Sequence, residues 1–164
     1  MKKVAIVGCP GAGKSTLARQ LASILGLPLY HLDLIWHKPD RTTLTREEFD
    51  ARLGEILAED AWIIDGNYQR TVPMRLERAD TVILLDYPTE VCLGGARERV
   101  GVQRADMPWT EEELDSEFAA FIEKFATDTL PRIYEYIAAA RCEKIILHSR
   151  DEADEFIKGL CGAR

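Results

Sequence analysis

Histidine and cysteine are scarce: three and four among 164 residues, with Cys9, Cys92, Cys142 and Cys161 far apart and no C-x-x-C pair. That spacing excludes a metal knuckle and a disulfide framework, and reads as reduced structural thiols. Cations are the minority, 21 Lys and Arg against 28 Asp and Glu, for a net charge of −7. No basic stripe stands out, so direct nucleic-acid binding, which needs clustered Lys and Arg on phosphates, is not expected. A small phosphorylated ligand needs only a few well-placed cations and stays open. No apolar run is long enough to span a bilayer, and Met1-Lys2-Lys3 leads straight into a short strand with no signal-peptide stretch. The expectation is a cytoplasmic protein with no membrane partner. Repeats, low-complexity tracts and linkers are missing too. With 46% hydrophobic residues, the chain has enough apolar material for a core and reads as one domain over residues 1–164.

What is present concentrates in one segment. Gly8-Cys9-Pro10-Gly11-Ala12-Gly13-Lys14-Ser15-Thr16 follows the apolar run Val4–Val7 and precedes a helical pattern. Strand, G-x-x-x-x-G-K-[ST] loop and helix together form the context of a phosphate-binding P-loop. The glycines let the backbone curl so that successive N–H groups point at phosphate oxygens, beside the positive end of the following helix. Gly8, Pro10, Gly11, Ala12, Gly13, Lys14, Ser15 and Thr16 are therefore expected to hold ATP. Lys14 would reach the β- and γ-phosphates and Ser15 would give its hydroxyl to Mg²⁺. Cys9 is a small residue that fits the loop.

Five short runs rich in Val, Ile and Leu read as strands buried on both faces of a parallel sheet: Lys3–Val7, Leu29–Leu32, Trp62–Ile64, Thr81–Leu85 and Lys144–Leu147. Helical patterns separate them. Lys14–Leu25 ends at Gly26, and Thr45–Ala58 opens on the capping box Thr45/Glu48. Glu90–Arg99 follows Pro88. A long stretch opens on a second box, Thr110/Glu113, and breaks or restarts at Pro131. The last helix covers about Glu152–Leu160. Alternation of this kind predicts an α/β sheet with right-handed crossovers. Ligands of such sheets lie beyond the carboxyl ends of the strands, and three strands deliver a carboxylate there: Asp33, Asp65 and Asp86. Each alone is equally a helix cap or turn former.

These segments resemble the adenylate-kinase-like branch of the P-loop kinases, and within it the group labelled DNA topology modulation protein or adenylate-kinase-related protein. The resemblance runs over Gly8–Thr16, Tyr30–Asp33, Ile63–Tyr68, Leu84–Pro88, Arg104–Trp109 and Ser149–Ala153. It implies a three-layer P-loop NTPase fold: a five-stranded parallel sheet in the order 2-3-1-4-5 flanked by helices, with a short loop lid at about residues 100–112. It further implies transfer of the γ-phosphoryl group of Mg²⁺-ATP to a small acceptor, a nucleotide or a nucleoside. Asp65 would order Mg²⁺ with Ser15 and border the substrate. Arg70, with Arg75 as a nearby substitute, would bind an anionic acceptor. Arg70 stands one residue later than the matching cation of adenylate kinases, which leaves a hydroxylated acceptor open. Arg99 would be the transition-state cation, with Arg97 as its substitute and Gly95 where a first lid arginine stands in adenylate kinases. Arg104 would close from the lid. Asp33 would contact the acceptor hydroxyl as a catalytic base, with His31, Trp36, His37 and Lys38 around the pocket. Arg150 would hold the adenine. The basic cluster reads equally as a solvated face paired to Glu90, Glu98 and Glu111–Glu113. A different class of function also stays open: a nucleotide-dependent switch with slow ATPase activity whose output is a protein or DNA contact.

Overall fold

The computed structural model describes residues 1–162; the last two residues of the expected domain lie outside them. Strand β1 (Lys3–Gly8) stands at the centre of five parallel strands, with β2 (Leu29–His31), β3 (Trp62–Asp65), β4 (Thr81–Leu85) and β5 (Glu143–Leu147) in the order β2-β3-β1-β4-β5. The expected order is the one found. The three inner strands are buried at every position but Lys3, which explains their unbroken apolar runs. The outer two are only partly covered, and β2 stops at His31. Leu32 opens a short helix, α2 (Leu32–Trp36), instead of ending the strand as expected.

Helix α1 (Lys14–Leu25) packs along β1, β2 and β3, and buries Leu17, Ala18 and Leu21. Gly26, in the left-handed conformation, ends it by donating its N–H to the Ala22 carbonyl. Helix α3 (Arg46–Ala58) opens on the expected capping box, with both Thr45 and Glu48 side chains engaged. Helix α4 (Val72–Arg78), absent from the sequence reading, is started by Pro73 after a 3₁₀ turn at Gln69–Thr71. Helix α5 (Thr89–Glu98) follows Pro88 as expected.

The second capping box does not form. Residues 107–114 are irregular, and α6 (Ser116–Lys124) is capped by Asp115, whose carboxylate accepts from the Phe118 N–H at 3.0 Å. Thr110 is followed by three glutamates and no apolar residue before Leu114, so no buried face rewards a helix there. At Pro131, of the two expected outcomes, the helix restarts: the proline stands in the first turn of a new helix. A π-helical turn, Phe125–Thr129, carries α6 into α7 (Leu130–Ala139). The Leu130 N–H reaches back to Phe125, and that wider turn accommodates a residue with no N–H of its own. Helix α8 (Arg150–Gly162) packs on α1 and β5. Its start is held by Ser149 Oγ, which accepts from the Glu152 N–H at 3.1 Å.

Candidate active site at the P-loop

The loop between β1 and α1 sits tightly against two neighbours. Gly8 has φ +147 and a Cβ there would meet the Leu85 carbonyl at 2.5 Å; at Gly11 (φ +85) a Cβ would lie 1.9 Å from the Cys92 carbonyl on α5. Gly95 closes the same contact from α5, where a Cβ would fall 2.1 Å from the Gly11 carbonyl. This packing is the physical reason for glycine, and no arginine, at position 95. The cap position of α1 is Gly13 in the left-handed conformation with no side chain to satisfy the first N–H groups, which leaves them facing the loop's concave side. Asn67 Oδ1 steadies the loop by accepting from the Gly8 N–H at 3.0 Å.

Over this loop lies a cavity of about 650 Å³, floored by Gly11–Gly13, Ser15 and Thr16 and walled by Tyr87, Arg99, Val102, Arg104, Asp106 and Arg150. Three of the expected cations thus meet there. Arg97 does not: it is exposed and outside the wall, so of the two open candidates Arg99 faces the cavity. Lys14 is buried, with its ammonium 3.1 Å from the Cys9 carbonyl. Burial pushes it below its ordinary pKa, partly countered by Asp65 and reinforced by Arg99. The Arg99 guanidinium is likewise lowered, first by burial and then by Arg104. Like charges held together in a partly dry wall favour an anion between them. Arg104 lies 3.7 Å from Asp106 and 3.8 Å from Glu111, so part of the expected ion pairing exists. Its Nη1 is nevertheless buried with no hydrogen-bond partner. Arg150 lies 3.9 Å from Glu98.

Beside Lys14, three oxygen-bearing side chains converge. Ser15 Oγ is 2.7 Å from Asp65 Oδ2 and 2.9 Å from Asp106 Oδ2, and Asp65 Oδ2 is also 2.8 Å from His31 Nδ1. The sequence alone assigns Asp106 no role, because only the fold brings it to a serine 91 residues away. Burial acts to raise its pKa, but Arg104, the Ser15 hydroxyl and His31 prevail and hold its carboxyl below the usual range.

Of the other expected residues, Asp33 stays near enough for the Lys14 ammonium to feel its charge, and the rest lie away from the cavity. Asp33, in α2, accepts from the Tyr68 hydroxyl at 2.7 Å. Burial and that carboxylate raise the Tyr68 pKa, so the phenol stays protonated. Trp36 packs edge-on against Phe49 at 5.5 Å and beside Tyr68 at 6.1 Å, while His37 meets Trp109. Asp86 takes a hydrogen bond from Tyr134 at 2.6 Å and does not join the P-loop group. Arg70 forms a two-pronged pair with Asp50 at 2.7 and 2.9 Å on the exposed surface. Arg75 is 0% exposed, its guanidinium enclosed by the carbonyls of Gly66, Asn67 and Thr71. Neither arginine lines the cavity.

No protein-family model matches the sequence, and no curated protein matches it. Solved structures do match in shape. The shikimate kinase from Acinetobacter baumannii in complex with shikimate aligns with TM-score 0.65 at 18% identity, over 99% of this chain and 92% of that one. The five-stranded order and the P-loop at the end of β1 are thereby joined to a known architecture. The chain has the P-loop NTPase fold. The shikimate kinase from Bacteroides thetaiotaomicron aligns with TM-score 0.63 at 18% identity, over 98% of this chain and 96% of that one. A gluconokinase from Sinorhizobium meliloti 1021 gives 0.57 at 15%, over 99% and 93%. At such identities the likeness speaks for the P-loop fold alone.

Proposed function

We propose that this chain is a phosphotransferase that moves the γ-phosphoryl group of Mg²⁺-ATP to a hydroxyl of a small molecule. The observation that carries the proposal is the meeting of Arg99 and Arg104 in the wall of the cavity that the P-loop floors. Two guanidinium groups held together favour an anion between them, and a phosphoryl oxygen beside the P-loop would supply it. The kinases that share the fold agree with this reading.

The donor set near Ser15 is all hard oxygen, which suits Mg²⁺. When bound, the ion supplies charge neutralisation between the β- and γ-phosphates. Lys14 and the loop amides hold the phosphates, while Arg99 and Arg104 stabilise charge on the transferred group. Arg150 borders the adenine end. Asp33 takes the proton of the acceptor hydroxyl as that oxygen attacks phosphorus, and Tyr68 orients the carboxylate. Arg75 acts by fixing the 66–71 loop, since each of its three guanidinium nitrogens already donates to a carbonyl there. Arg70 is in an exposed pair, of the kind that solvent screens to little effect, so it is releasable toward an acceptor. With one releasable cation in place of two, a nucleoside or sugar-like hydroxyl compound is favoured over a monophosphate. We place this chemistry in a cytoplasmic protein of one domain, residues 1–164, with 100–112 as lid. Its place in the adenylate-kinase-related, topology-modulation-labelled group rests on the sequence segments quoted above.

The test is ADP release from Mg²⁺-ATP against nucleosides, nucleotides, sugars and amino-alcohols. Acceptor-dependent turnover is expected in the wild type, lost in Lys14→Ala and reduced about 10³-fold in Arg104→Ala. Slow hydrolysis indifferent to every acceptor would transfer the assignment to a nucleotide switch.

A further inference from the structure

We infer that Asp106 is a metal-binding residue of this site: it adds an oxygen donor from the lid segment to the Mg²⁺ that Ser15 and Asp65 hold, so that metal and lid bind together. This rests on the Mg²⁺-ATP reading above. Asp106 is 4% exposed although its neighbour Ala105 is exposed and the surrounding segment is irregular. Its carboxylate has therefore been drawn inward, to 2.9 Å from Ser15 Oγ.

The proton count there is short. Ser15 has one hydroxyl proton but faces two carboxylate oxygens, Asp65 Oδ2 at 2.7 Å and Asp106 Oδ2 at 2.9 Å. Asp65 has a second donor in His31, whose Nδ1 at 2.8 Å bonds the carboxylate in the tautomer that carries the proton there. Asp106 has no equivalent: the Arg104 Nε lies 3.7 Å from its Oδ1, beyond hydrogen-bond length. When Ser15 donates to Asp65, Asp106 Oδ2 is left against a hydroxyl lone pair. A divalent cation resolves that conflict, because all three oxygens then act as donors to one positive centre. The three come from α1, the end of β3 and the lid segment, so an ion shared among them ties the lid to the P-loop. A plain latch, in which Asp106 merely accepts from Ser15, makes the opposite prediction about metal.

The experiment is calorimetric titration of the full chain with ADP, with and without Mg²⁺, for the wild type and Asp106→Asn. A parallel series uses Mn²⁺ as a paramagnetic probe of metal bound with ADP. The amide of Asn keeps a hydrogen-bonding partner for Ser15, and thermal unfolding without metal verifies that the variant folds. Asp106→Asn is expected to lose at least about tenfold of the metal-dependent gain in ADP affinity, with Mn²⁺ binding weakened in parallel. Retention of the full Mg²⁺ gain in Asp106→Asn would overturn the inference and leave a latch, with the nucleotide reading intact. Metal-independent ADP binding by the wild type would overturn the inference and the Mg²⁺ part of the proposed function. No ADP binding at all would overturn both readings at their root.

Discussion

At the scale of single residues, position within the fold decides what a charged group can do. Arg70 and Arg75 read alike in the sequence, five residues apart beside the same Asp-Gly, yet one is exposed on Asp50 and the other enclosed by three carbonyls. Burial lowers the Arg75 pKa to about 10, still charged at neutral pH, so the guanidinium stays an effective donor to those carbonyls. Arg75→Leu strands the Gly66 and Asn67 carbonyls, while also removing a costly buried charge. The expected net loss is about 2–4 kcal/mol, or roughly 5–15 °C in Tm for a chain of this size. Thermal unfolding checks it. A substrate-binding arginine would show the reverse pattern, a raised acceptor KM with Tm unchanged.

At the scale of elements, capping chemistry competes with packing. The Thr110/Glu113 pattern meets the rule for a helix start, and Asp115 with Phe118 is the pair that operates. The helix begins where Phe118 and Ile122 first offer it apolar contacts, so the cap is selected by the packing that follows it. Asp115→Ala is expected to cost about 1 kcal/mol, and Thr110→Ala less than about 0.5 kcal/mol, by chemical denaturation of each variant. The same competition explains α2 and α4, two short helices without long periodic patterns that are fixed by contacts with β2, α3, β1 and α7.

At the scale of the whole molecule, the segment 100–112 is fastened to the P-loop through Asp106, and the depressed pKa of that carboxyl sets the acid limit of the contact. A carboxylate whose folded pKa lies below its unfolded value contributes fully above the ordinary carboxylate range and loses the contribution as pH falls through the depressed value. Trp109, edge-on to His37 and under Arg41, reports on the segment. Its emission in a Trp36→Phe, Trp62→Phe, His37→Phe background, which removes the imidazole against it, is expected to stay constant from neutral pH to about pH 4 and to change only below. A transition near pH 6 would instead assign the fastening to a histidine.

Sequence by itself determined the P-loop, the five strands, and helices α1, α3, α5 and α8 to within a few residues. These are local properties: glycine spacing where the backbone must curl, apolar runs where a strand is covered on both faces, and caps that act within four residues. It also singled out Arg99, Arg104, Arg150 and Ser15, which the fold does bring to one cavity. Tertiary structure alone decided the rest. Asp106 meets Ser15 across 91 residues, a separation over which no periodicity or cap carries information, while the meeting of Asp65 with Ser15 across 50 is implied in the sequence only by the family resemblance. Arg97 in the last turn of α5 and Arg99 just past its end differ by two positions, and only the packing of α5 on the P-loop turns one to solvent and the other to the cavity. Which charges are enclosed, paired or free depends on what lies opposite them, and the chain acquires those neighbours only when the sheet closes over its crossovers.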